Sequence, residues 1–180
     1  MKTLGLIGGM SWESTAHYYA RINRLVAGRL GGLHSARLLL YSMEFHELQA
    51  LQHADDWAGA ARLLVDAARR LERAGAEGLV ICANTMHIVA PEIGQAVPLP
   101  LIHIADAAAT AVKRQGLRTV ALLGTPLPWT SPFIVNGWSV GTLCACCSRM
   151  NRSGRRSTAS FSRNCARARY GRLRGRCFSG

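Results

Sequence analysis

The chain has 180 residues, 49% of them apolar, and a formal net charge of +12. That composition fits a core-forming protein of one domain, or one domain and part of a second, and excludes a disordered polar chain. No apolar run approaches the roughly 18 residues needed to span a bilayer. The N-terminus has one Lys before a short apolar stretch and lacks a small-x-small cleavage site, so no membrane partner is expected and the expected location is cytoplasmic.

Charge and cysteine are both divided unevenly. Residues 1–125 hold 12 of the Lys+Arg and all 10 Asp+Glu, whereas residues 126–180 hold 10 Arg and no acid. Cys82 stands alone in the first part; Cys144, Cys146, Cys147, Cys165 and Cys177 crowd the second. The composition changes near Gly124-Thr125.

In chain order, Thr3 to Ile7 is an apolar run stopped by Gly8-Gly9 and predicts a buried parallel strand. Ser11 suits the N-cap of a helix to about Leu30, with Glu13 favourable in its first turn. Arg37 to Ser42 predicts a second strand. Ala58 to Ala74 carries Leu63, Leu64, Ala67, Ala68 and Leu71 on one helical face, with Gly75 as its stop. Gly78 to Ile81, Leu99 to Ile104 and Thr119 to Leu123 predict three further strands. An Ala-rich helix from about Asp106 to Gln115 separates the last two. This alternation predicts an α/β fold, a parallel sheet flanked by helices, with ligands beyond the carboxyl ends of the strands. From Pro126 onward neither strand nor helix periodicity is present, and an irregular tail is expected.

Two segments lie at such carboxyl ends and are expected to face one crevice. Cys82-Ala83-Asn84-Thr85-Met86-His87 places a thiol, an amide, a hydroxyl and an imidazole together. Buried free cysteines are common, so an inert core thiol is the competing reading. Asn84 and Thr85 can point donors at an oxyanion, and a helix starting near His87 would favour thiolate. Gly8-Gly9-Met10-Ser11-Trp12-Glu13-Ser14 is a strand–turn–helix junction able to bind an anion, or simply a tight turn. It lacks the G-x-G-x-x-G spacing of dinucleotide sites. His87 and His103 are either bases or ligands, or satisfied structural residues. No cluster has zinc-ligand spacing, so no metal is expected.

Taken together, these motifs resemble the aspartate/glutamate racemase superfamily, in its branch of aspartate racemases and broad-specificity amino-acid racemases. The resemblance rests on Gly-Leu-Ile-Gly-Gly-Met-Ser-Trp-Glu-Ser-Thr (5–15), Leu33-His34-Ser35-Ala36, Tyr41-Ser42 and Ile81 to His87. It continues through Ala90-Pro91-Glu92, His103-Ile104-Ala105-Asp106 and Leu122-Leu123-Gly124-Thr125. It covers about the first 125 residues.

The resemblance implies two similar Rossmann-like α/β domains with the active site between them, an amino-acid substrate, no cofactor, and a homodimer. It makes Cys82 one of two proton-transferring thiols and sets Met10, Ser11, Gln52, Asn84, Thr85 and Met86 around the substrate. The second thiol belongs to a late Gly-Cys-Thr-Glu motif that these 180 residues do not contain, which implies impaired turnover. The expected division is a first domain over 1–115, the start of a second over 116–127, and an out-of-frame, disordered tail over 128–180. Pro128-Trp129-Thr130-Ser131 can be encoded CCA-TGG-ACC-AGC, which contains the shifted reading Met-Asp-Gln and continues in a family-like manner. One base restored in the Pro128 codon would join the two halves. The alternative readings are a related isomerase or decarboxylase of dicarboxylates, or non-specific nucleic-acid binding through the ten tail arginines. The latter lacks any nucleic-acid-binding fold signature.

Overall fold

A computed structural model describes residues 1–117 and the backbone of two further strands, Val120–Gly124 and Leu143–Cys147. Four apolar runs become the parallel strands β1 (Leu4–Gly8), β2 (Leu38–Ser42), β3 (Gly78–Ile81) and β4 (Leu101–Ile102), in the order β2-β1-β3-β4. The interior strands read as unbroken apolar runs because helices cover both of their faces. On β3 every residue is buried, and on β1 every residue after Leu4.

Side chains alternate across the sheet and so build two cores. Ile7, Leu79 and Ile81 pack with α3 (Trp57–Arg73) and α4 (Ala90–Ala96) through Leu64, Ala67, Ala68, Leu71 and Ile93. Leu6, Val80 and Cys82 point to the other face, where α1 (Trp12–Leu30) contributes Tyr18 and Ile22. The stripe on α3 recurs at helical spacing, and its alanines let the helix lie close to the sheet. Gly5 belongs to the same contact, since a Cβ there would meet Leu71, Ala76 and Leu79 at 3.0–3.2 Å.

The helix ends follow local chemistry. Ser11 caps α1 by accepting from Ser14 N, and Gly31, at φ 76°, closes it with an N–H donated to Ala27 O. Asp56 caps α3 by accepting from Gly59 N at 2.7 Å. A short α2 (Phe45–His53) has no counterpart in the sequence expectation. Its cap is Glu44, whose carboxylate accepts from His46 N and Glu47 N at 2.9 Å each. The fourth strand is two residues long rather than six. Pro98 and Pro100 supply no ladder donor, although Pro100 O still accepts from Leu79 N. The following helix α5 spans Ile104–Arg114, starting two residues earlier than expected.

The backbone divides into two compact units, Met1–Thr110 and Ala111–Gly180. Within the second, β5 (Val120–Gly124) pairs in parallel with β6 (Leu143–Cys147), in a register from Val120↔Leu143 to Gly124↔Cys147. The strand β6 corrects the expectation that no strand follows Pro126. Leu-Cys-Ala-Cys-Cys is a short unbroken apolar run, which period-2 alternation cannot detect. The remainder of the expected tail, 128–142 and 148–180, and the proposed frame change at Pro128 lie outside the described residues. No helix among the described residues is long and apolar enough to cross a membrane.

Candidate active site

The two motifs meet because β1 and β3 are adjacent and run in the same direction. Ile7 pairs with Ile81, and Cys82 N donates to Ile7 O at 2.9 Å. From α1, Ser14 Oγ donates to the Cys82 carbonyl, also at 2.9 Å. The end of β3 is thus held by β1 and by the first helix.

That turn is built around two glycines. Gly9 has φ 86°, and a Cβ on it would fall onto the Met43 backbone; one on Gly8 would strike Thr15 and Leu40. Buried Thr15 accepts from Gly9 N at 3.0 Å and donates to Ser11 O at 2.9 Å. Ser11 Oγ accepts from Ser14 N and donates to Glu13 Oε2 at 2.9 Å. The N–H groups of Gly9 and Ser14 are therefore satisfied within the motif.

Cys82 is fully buried, and burial pushes its thiol up to about 12. This overturns the expectation of a thiolate-favouring helix end. The helical turn begins at Thr85 as a 3-10 helix (Thr85–Val89), and burial of Cys82 in the cluster with Leu6, Val80, Tyr18 and Ile22 dominates. Tyr18 answers in kind: its phenol is raised first by burial and then by the neighbouring Cys82.

The other expected residues fall in three places. Met10 and Met86 are buried in the core shared with α3 and α4. Gln52, on α2, donates Nε2–H to Met86 Sδ at 3.0 Å, which ties α2 to the Cys82 segment. Asn84 and Thr85 are half-buried at the start of the 3-10 helix. Asn84 does not cap that helix with its side chain, and its carbonyl accepts from His87 N. Ser11 is half-buried beside the glycine turn. Cys82 and the Ser11–Ser14 turn are thus brought into contact, as are Gln52 and Met86.

Sequence reasoning did not single out Ser14 or Thr15. Their place one turn after a strand-ending Gly-Gly was the available signal. His87 is a buried bridge between backbone groups rather than an open base. Among the described residues no group of three or more His, Cys, Asp or Glu is placed to hold a metal ion. An open groove of about 370 Å³ lies between α1 and β2, lined by Trp12, Thr15, Ala16, Tyr19, Leu40 and Ser42, and none of the expected site residues lines it.

Known proteins give this arrangement a context. Residues 7–139 match the family model described as Asp/Glu/Hydantoin racemase. The chain is 22% identical over 124 residues to the broad specificity amino-acid racemase RacX of Bacillus subtilis (strain 168), covering 66% of this chain and 53% of that protein. A solved structure from Yersinia pestis, described as a candidate Asp/Glu racemase, superimposes with a TM-score of 0.75 at 50% identity. The match covers 81% of this chain and 64% of that one. An aspartate racemase homologue from Pyrococcus horikoshii OT3 gives a TM-score of 0.73 at 32% identity, covering 85% of this chain and 66% of the other. The chain therefore spans about half to two thirds of the length of these relatives.

Proposed function

The chain belongs to the Asp/Glu/hydantoin racemase family, and from that premise we propose that it carries one wall of a cofactor-independent amino-acid racemase site, with Cys82 as one of two proton-transferring groups. The observation that carries the proposal is the position of Cys82. It lies at the carboxyl end of an interior parallel strand, where α/β sheets bind ligands, and Asn84 and Thr85 follow after Ala83.

An amino-acid α-proton is a very weak acid, so its removal requires donors aimed at the carboxylate as it gains enediolate character. Asn84 and Thr85 are assigned that role. The Ser11 hydroxyl can join by giving up its bond to Glu13. Met10, Gln52 and Met86 shape the floor. In the forward step a thiolate takes the α-proton and becomes a thiol, while a thiol on the opposite face delivers its own proton to the same carbon and becomes the thiolate. With its thiol raised to about 12, Cys82 is protonated at neutral pH and suited to the delivering role. To act as the base it needs a nearby cation, and the ammonium group of a bound amino acid supplies one.

The residues in hand provide one such thiol. These 180 residues contain no Gly-Cys-Thr-Glu run, so these residues alone are expected to invert substrate slowly, and a frame change at Pro128 is proposed to join them to the family's continuation. A homodimer belongs to the same reading, and sedimentation equilibrium showing only monomer would remove it. The test is chiral chromatography of aspartate, glutamate and a neutral amino-acid panel, with this chain beside a version carrying one restored base in the Pro128 codon. We expect racemisation by the restored version to be at least about a hundredfold faster. A restored version inactive on every member of the panel would contradict the proposal.

A further inference from the structure

Five residues after Cys82 the chain buries an imidazole whose two nitrogens serve different elements. Nδ1 of His87 lies 2.9 Å from the Ala83 carbonyl, and Nε2 lies 3.2 Å from the amide nitrogen of Ile104, the first residue of α5. A backbone N–H can only donate. Nε2 is therefore the unprotonated nitrogen, and Nδ1 carries the hydrogen given to Ala83. The ring is 1% exposed and stands edge-on to His103, with centroids 4.6 Å apart and planes at 72°. His103 in turn accepts from Ala105 N through Nδ1 at 3.2 Å. Ile104 and Ala105 open α5, where amide groups have no partner within the helix, so the two imidazoles satisfy its first donors.

The same ring acts on the site loop. The Cys82 carbonyl is held by Ser14 Oγ from α1, and the next carbonyl, that of Ala83, is held by His87. Two successive peptide groups at the end of β3 are thus fixed by side chains from two elements. Their fixed directions set where Asn84 and Thr85 emerge. Both ring nitrogens of His87 are taken up by backbone groups and the ring is buried, so its bonds hold the loop in place.

We infer that His87, locked as its Nδ1–H tautomer, is a positioning residue that ties the Cys82–Thr85 loop to the N-terminus of α5. Its importance for turnover rests on the proposed role of Cys82; the tie itself does not.

The experiment uses the full chain labelled with ¹⁵N-histidine. A long-range ¹H–¹⁵N spectrum at pH 7 is expected to show His87 protonated at Nδ1 and bare at Nε2. Three variants separate the two bonds. His87→Gln retains an acceptor near the Nε2 position, His87→Asn retains only a donor near Nδ1, and His87→Phe retains neither. Amide exchange at Ile104 is expected to accelerate at least about tenfold in the Asn and Phe variants and to stay within about threefold of the parent in the Gln variant. An Nε2–H tautomer in the parent chain overturns the inference even if no variant folds. Equal Ile104 protection in all three variants overturns it as well. Absence of substrate α-proton exchange in the parent chain would instead sink the racemase reading and leave the tie standing.

Discussion

At the scale of single residues, the structure changes the chemistry expected of Cys82. The thiol, amide, hydroxyl and imidazole of Cys82–His87 were legible in the sequence because they follow an apolar strand. The direction of the thiol pKa was not, because it depends on burial in a cluster to which distant parts of the chain contribute Leu6, Tyr18 and Ile22. Alkylation of Cys82 by iodoacetamide, followed by mass spectrometry, is expected to rise roughly tenfold per pH unit from about pH 8 to 10 without levelling. A half-maximum near the ordinary thiol value would refute the burial account. His87 gives a second residue-scale prediction. Burial first, and then His103, pull its pKa down to about 4. The unfolded chain binds this proton near pH 6.5 and the folded chain does not, so stability is complete above about pH 6.5 and falls as the pH drops toward 4. The loss is about 3 kcal/mol over that window. Urea midpoints at pH 7 and pH 4.5 should differ accordingly in the parent chain. The same pair should show a clearly smaller difference in His87→Phe; an unchanged difference would show that other groups carry the effect.

At the scale of elements, what the sequence made readable is what local physics controls. Leu4–Gly8 and Gly78–Ile81 are strands because both faces are covered, and their continuous apolar runs say so. The stripe Leu64, Ala67, Ala68, Leu71 has helical period and forms the inner face of α3. The elements that escaped are those set by tertiary context. The helix α2 starts at a Glu cap, a residue type with weak capping preference, and β4 is cut to two residues between Pro100 and the start of α5 at Ile104. The strand β6 went unread because an Arg-rich, acid-free surrounding masked a five-residue apolar run. The central element of the first unit is α3, which packs on β1 through a fully buried Leu64. Leu64→Ala should destabilise the chain by about 3 kcal/mol, read from urea denaturation. A loss below about 1 kcal/mol would mean that the interface between α3 and the sheet is not the main core.

At the scale of the whole molecule, the excess positive charge arises after residue 125, where ten arginines occur without an acid; the first 125 residues have nearly balanced charge. The family match runs over residues 7–139, and the chain spans about two thirds of its solved relatives. The proposed two-thiol reaction predicts a specific partial activity for these 180 residues, which carry Cys82 without a Gly-Cys-Thr-Glu run. Removal and return of the α-proton from one face exchanges it with solvent without inverting the centre. The decisive measurement is ¹H NMR of L- and D-aspartate incubated with the chain in D₂O, beside Cys82→Ser and a buffer blank. The account predicts α-deuteration of one enantiomer with retained configuration, outpacing any racemisation, and its loss in Cys82→Ser. Exchange that persists unchanged in Cys82→Ser, or none above the blank for either enantiomer, would contradict it.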